Sequence, residues 1–255
     1  MKFFFKGSAL VLLLQTNVVF SQQSKEVTHQ QLIWYGYNTT VSFSANWYLV
    51  SEVQERHFID PLAQHQLLFR TELHRNLGKE WNTSVGMTVF LQSPNDPEST
   101  SNLIVPELRP NIEFVYKQKL SFGILSHRYK AEARYFHNTA NGELTTGYTF
   151  GNFRFRYQIG LEIPILKSKQ QQRDLLSVRV MDEVHFNTGG NIVKNVFDQN
   201  RVYLALNYKI TPKLSIEAGY LNWYQQRASG YEFYNRDIIR FTVFHKIDFK
   251  NNNKH

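Results

Sequence analysis

The chain contains no cysteine. Disulfide frameworks, thiolate zinc sites and cysteine nucleophiles are therefore excluded. Beyond the first twenty residues it has no apolar run near the roughly 18 residues that a membrane-spanning helix needs. Helical periodicity is almost absent as well. Aromatic residues are plentiful. The 20 Phe, 14 Tyr and 4 Trp make up 15% of the chain, far more than a disordered polypeptide carries. A length of 255 residues allows one large domain or two small ones.

Lys and Arg number 29 against 21 Asp and Glu, a formal charge of +8, and mean hydropathy is −0.42. Part of the excess lies in the first 21 residues, MKFFFKGSALVLLLQTNVVFS. Lys2 and Lys6 form a basic start and Ala9 to Leu14 an apolar stretch. Val19 and Ser21 are small residues placed for cleavage before Gln22. This is the pattern of a secretory signal peptide, with a short N-terminal membrane anchor as the alternative. Without Lys2 and Lys6 the balance is 27 against 21, about +6. In an exported protein a basic surplus fits anionic lipid or lipopolysaccharide better than nucleic acid.

The remaining sequence alternates with a period of two. In Phe153 to Ile163, the residues Phe153, Phe155, Tyr157, Ile159, Leu161 and Ile163 share one face. Arg154, Arg156, Gln158, Gly160 and Glu162 share the other. Segments 109–117 and 126–135 repeat the arrangement. Eleven strands are expected, near 31–42, 46–58, 63–76, 81–92, 106–117, 120–136, 149–165, 174–187, 200–210, 213–225 and 236–249. Most are about twice the usual 5–6 residues of soluble strands and match the 9–11 of a tilted membrane strand. Short connections at 42–46, 76–80, 117–120 and 210–213 alternate with long ones at 93–105, 137–148, 187–200 and 226–236. Outer-membrane barrels show this rhythm, with short periplasmic turns and longer outer loops.

Aromatics gather toward strand ends, and Trp34, Tyr35, Trp47, Tyr48, Trp81, Tyr135, Phe136, Trp223 and Tyr224 are expected in interfacial girdles. In the last strand, Ile239, Phe241, Val243, Ile247 and Phe249 alternate up to a terminal aromatic, interrupted by His245 and followed by a polar tail.

Nearly every strand carries Arg and Glu on its polar face. They are Glu52, Arg56, Arg70, Glu72, Arg109, Glu113, Arg128, Glu132, Arg134, Arg154, Arg156, Glu162, Arg179, Glu183, Arg201, Glu217 and Arg240. An Arg facing lipid at mid-bilayer costs about 2–4 kcal/mol, so the alternation turns these groups toward a lumen. There they form either a pairing network that fills the barrel and fixes register, or the lining of a narrow charge-selective conduit. Neither GxSxG nor HExxH occurs. Glu183 and His185 lie on one strand face, a spacing that serves metal ligation or acid/base work but equally an ion pair. No catalytic residue, metal or cofactor is assigned.

Asp182-Glu183-Val184, Phe197-Asp198-Gln199-Asn200-Arg201 and Glu217-Ala218-Gly219-Tyr220-Leu221, with His127-Arg128-Tyr129-Lys130-Ala131-Glu132-Ala133-Arg134 upstream, resemble the bacterial domain-of-unknown-function family 2490. The resemblance covers about residues 31–249 and implies an exported, all-β, barrel-like protein. It implies no activity.

The expectation is one all-β domain at 22–249, an antiparallel up-and-down barrel of about 10–12 strands of outer-membrane type, preceded by a signal peptide at 1–21 and followed by a polar tail at 250–255. It is expected in a Gram-negative outer membrane as a monomer, in contact with lipid, lipopolysaccharide and the barrel-assembly machinery. The other readings are a lipid-modifying barrel enzyme and a soluble periplasmic barrel with an apolar ligand inside and Arg/Glu outside. An odd strand count sits badly with the even counts of bacterial single-chain barrels. It leaves three options for residues 27–42: a missed strand, a strand wrongly divided, or a first segment inside the lumen.

Overall fold

The computed structural model describes residues 24–168, 173–190 and 192–248. The expected signal peptide, Phe249 and the polar tail lie outside them. Eleven strands follow one another: β1 Glu26–Ser42, β2 Trp47–Phe58, β3 Ala63–Gly78, β4 Trp81–Gln92, β5 Val105–Lys119 and β6 Ile124–Ala140, then β7 Glu143–Ser168, β8 Arg173–Thr188, β9 Phe197–Lys209, β10 Leu214–Gln226 and β11 Glu232–Asp248. Each pairs with its sequence neighbours, and β1 pairs with β11 to close the barrel.

Closure accounts for the odd count. Among the described residues, β1 and β11 form the one parallel pair, in register from Glu26↔Glu232 to Ser42↔Asp248. Every other pairing is antiparallel. An odd up-and-down meander brings its first and last strands together pointing the same way, so closure must be parallel. None of the three options for residues 27–42 holds: the segment is a single wall strand that begins at Glu26. Its start lies at the mouth formed by the connections 59–62, 93–104, 192–196 and 227–231, and β11 ends at the opposite mouth, beside the turns 43–46, 79–80, 120–123 and 210–213.

One expected long loop is not a loop. Residues 137–148 continue the β6–β7 ladder through Thr139↔Leu144 and Ala140↔Glu143. Asn141 and Gly142 turn the chain at φ 53° and 79°. Two successive positive φ angles are what a tight type I′ hairpin needs, and Asn-Gly supplies them with little strain.

Burial follows the alternation. Tyr35, Phe69, Ile112, Phe155, Val180, Leu204, Ile216 and Phe241 all point outward and are exposed, and they belong to an apolar belt around the wall. Glu52, Arg56, Glu72, Arg109, Glu132, Arg154, Glu183 and Glu217 are buried inside. A soluble ligand-binding barrel would show the reverse. The lumen is two-sided, however. On the β1, β2, β9, β10 and β11 side, Leu32, Trp34, Phe58, Tyr203, Leu221, Trp223 and Ile238 form an apolar cluster. Trp34 and Trp223 are 1% and 3% exposed, so they fill the lumen rather than a girdle. Tyr48 stacks inside on His74 at 4.7 Å, and Phe136 lines an internal cavity. Tyr35, Trp47 and Trp81 do face outward.

Candidate functional site

Fifteen of the seventeen Arg and Glu residues on the polar face take part in ion pairs. Arg70 lies 3.0 Å from Glu52, which Arg240 approaches to 3.7 Å. Glu183 sits at a junction: Arg128 Nη2 donates to it at 2.6 Å and Arg156 Nε at 2.8 Å. Arg156 also donates to Glu132 at 2.9 Å. Arg179 bridges Glu162 at 3.0 Å and Glu217 at 2.7 Å. The Tyr203 hydroxyl donates to Glu217 at 3.0 Å.

Several of these contacts skip strands. Arg128 on β6 reaches Glu183 on β8, and Lys130 on β6 reaches Glu72 on β3. Lys130 is also 3.5 Å from Glu113, which Arg128 approaches to 3.8 Å. Such pairs tie the wall across the lumen as well as along it. Desolvated pairs are costly to break, because the partner left behind is a buried charge without compensation. His185 Nε2 lies 3.2 Å from Glu183 and Nδ1 2.5 Å from the Gln199 amide. Glu183 and His185 thus belong to this network, and Glu183 is already engaged by two arginines.

Four network members were not singled out from the sequence. Lys130 and Glu107 are in phase with Arg128 and Arg109, so the alternation contains them. Glu107 accepts two bonds from Arg109, at 2.6 and 2.7 Å, and two from Arg134, at 2.5 and 3.1 Å. Asp198, 3.0 Å from Arg154, lies where the β8–β9 register shifts from His185↔Gln199 to Phe186↔Phe197. The extra residue buries both Asp198 and Gln199, and the local period no longer tells which one faces in. Arg236 lies at the predicted edge of β11 and is fully buried.

Of the seventeen, Arg56 and Arg201 are the two in no ion pair, and Arg236 likewise bonds only amide groups, those of Gln30, Gln225 and Asn95. Arg56 Nε donates to Gln54 at 2.6 Å, and its Nη1 donates to Gln66. Its guanidinium lies 3.8 Å from the Trp34 ring centre, and that of Arg201 lies 4.5 Å from Trp223. The two indoles meet edge-on at 5.8 Å. This layer lies on the same side of the lumen as the apolar cluster, and its Arg56 and Arg201 line two cavities of about 220 Å³ each. A desolvated guanidinium on tryptophan gains about 2 kcal/mol, enough to hold such a layer.

Above the layer the 93–104 connection folds over the mouth. The Asn95 carbonyl accepts from Gln30 at 2.8 Å, and its Oδ1 accepts from Arg236 at 3.2 Å and lies 3.4 Å from His65 Nε2. Asn95→Ala removes the two side-chain contacts. It is expected to loosen the loop by about 1–2 kcal/mol. Limited proteolysis should then nick 93–104 faster, while the folded barrel keeps its heat-modifiable gel mobility.

The architecture defines a class: a closed eleven-strand β-barrel with buried ion pairs inside and exposed apolar side chains outside. The chain belongs to the family described as "Protein of unknown function (DUF2490)", whose model matches residues 31–235. No curated protein matches it. Among solved structures it is similar to one titled "NanC porin structure in rhombohedral crystal form", with 11% identity and a TM-score of 0.50, covering 85% of this chain and 99% of that one. At that identity the likeness concerns the fold.

Proposed function

We propose that the protein is an outer-membrane β-barrel whose charged lumen is a structural core, closed midway in its resting state. The observation that carries this reading is the inside-out distribution of polarity: an apolar belt outside, ion pairs inside. Soluble monomers rarely expose apolar patches beyond a few hundred Å², whereas a transmembrane barrel needs such a belt. Residues 1–21 would direct export and be removed, and the barrel-assembly machinery would insert the chain as a monomer into lipid and lipopolysaccharide.

A second reading, passage of small polar solutes, has its own support. Two cavities of about 220 Å³ each lie within the lumen, and Arg56 and Arg201, seated on Trp34 and Trp223, line both. Planar-bilayer recording of the refolded protein decides between the two. The sealed reading expects a folded, inserted and electrically silent wild type, with conductance steps appearing in Arg56→Ala/Arg201→Ala. Regular wild-type steps would establish a conduit instead. A protein that stays soluble without detergent and never inserts would overturn the membrane assignment.

A further inference from the structure

We propose that the cavity at the long-loop mouth binds a small organic oxyanion, a solute with a carboxylate or phosphate group on a body that has hydrogen-bonding groups of its own. The cavity holds about 220 Å³, and its wall carries Arg56, Arg109, Arg134, Arg154 and Arg201 against a single carboxylate, Glu107. Glu107 is already committed to both Arg109 and Arg134. Arg154 is matched by Asp198 at 3.0 Å. Arg56 and Arg201 bond to and stack on neutral groups alone, amides and indoles, and their carboxylate neighbours, Glu52 for the one and Glu183 and Asp198 for the other, act from beyond ion-pair distance. Arg201 Nε is buried with no hydrogen-bond partner. A guanidinium taken from water without a counter-charge is unfavourable, and a carboxylate or phosphate supplies both the charge and the paired acceptors that its fork prefers.

The rest of the wall describes the body of the ligand. Gln66, Gln92, Gln199 and Gln225 make the rest of the wall polar, their amides already bonded within it, and such a wall suits a polar body better than a bare apolar tail. Phe90 and Trp223 stack behind Arg109 and Arg201, at 3.7 and 4.5 Å, and so hold the guanidinium planes in place. The site lies inside the wall, away from the outer apolar belt, so it suits a dissolved solute rather than a lipid headgroup. The inference holds whether or not the barrel conducts, so the recordings above and the test below succeed or fail separately.

Trp34 and Trp223, two of the four tryptophans, border the unpaired arginines. Their fluorescence in the detergent-folded protein reads the site directly. Citrate and inorganic phosphate are expected to give saturable changes, and glycerol none. Arg56→Gln and Arg201→Gln, each checked for folded gel mobility, should bind citrate at least about tenfold more weakly. Lys213→Gln, on an exposed turn at the opposite mouth, should bind as wild type does. The comparison of citrate with glycerol on wild type stands even if an arginine variant does not fold. The proposal is overturned if folded wild type shows neither saturable fluorescence nor calorimetric heat with citrate or phosphate, or if both arginine variants bind unchanged. A response to lipopolysaccharide in the micelle but not to citrate would overturn the dissolved-solute assignment.

Discussion

Glu183→Ala is expected to cost the folded barrel about 3–5 kcal/mol, measured by urea unfolding in detergent or by loss of heat-modifiable gel mobility. Glu183 is buried and accepts from Arg128 and Arg156, with His185 Nε2 a further 3.2 Å away. Deleting the carboxylate leaves two guanidiniums in a packed interior. Arg156 keeps Glu132 as a partner and Arg128 keeps Glu113 only at 3.8 Å, so relaxation is limited. The comparison is Glu80→Ala. Its partner Lys119 is 3.0 Å away, but the two side chains are 46% and 76% exposed. An exposed pair contributes about 0–1 kcal/mol. If the two variants lose the same small amount, the lumen is wide and wet, and the packed-core reading fails. The amide variant Glu183→Gln keeps the shape and one acceptor, so it separates loss of charge from loss of packing.

How much of this was legible in the sequence depends on what each feature rests on. Strand existence rests on local alternation, and it was readable: β4 occupies 81–92 as expected, and β2 begins one residue later than expected, at Trp47. The direction of the closing pair rests on the contact between β1 and β11, more than two hundred residues apart. No local period encodes that contact, so the sequence left only an odd count. The lumenal placement of Trp34 and Trp223 was hidden for another reason. In β1 and β10 both faces are apolar: Ile33 and Tyr35 flank Trp34, and inward Leu221 follows outward Tyr220. A period-two signal needs contrast between faces, and here there is none. Most of the ion-pair residues were readable because β2, β5, β6, β7 and β8 keep that contrast. Asp198 was not, because a bulge shifts its phase. The deficit of carboxylates at the long-loop mouth was also hidden, because it depends on which side chains share a level of the barrel.

Leu204→Arg tests what surrounds the wall. Leu204 faces outward and is 55% exposed, opposite Val180 on β8 and Tyr220 on β10, which are exposed as well. In water an arginine at such a position changes stability by less than about 0.5 kcal/mol. In a bilayer the same change near the midplane costs about 2–4 kcal/mol, falling to about 0–1 toward the interface. The expected result is therefore a gradient: a large loss for Leu204→Arg near the middle of β9, and a small one for Tyr208→Arg, which faces the same way near its end. Refolding into liposomes followed by urea titration measures both. Equal, negligible effects would mean that the belt faces water or another protein. The gradient has a built-in reference in the native chain. Arg201 and Val202 are adjacent, one turned to the lumenal tryptophans and one outward. An offset of one residue decides whether a guanidinium rests on indole or is driven into hydrocarbon.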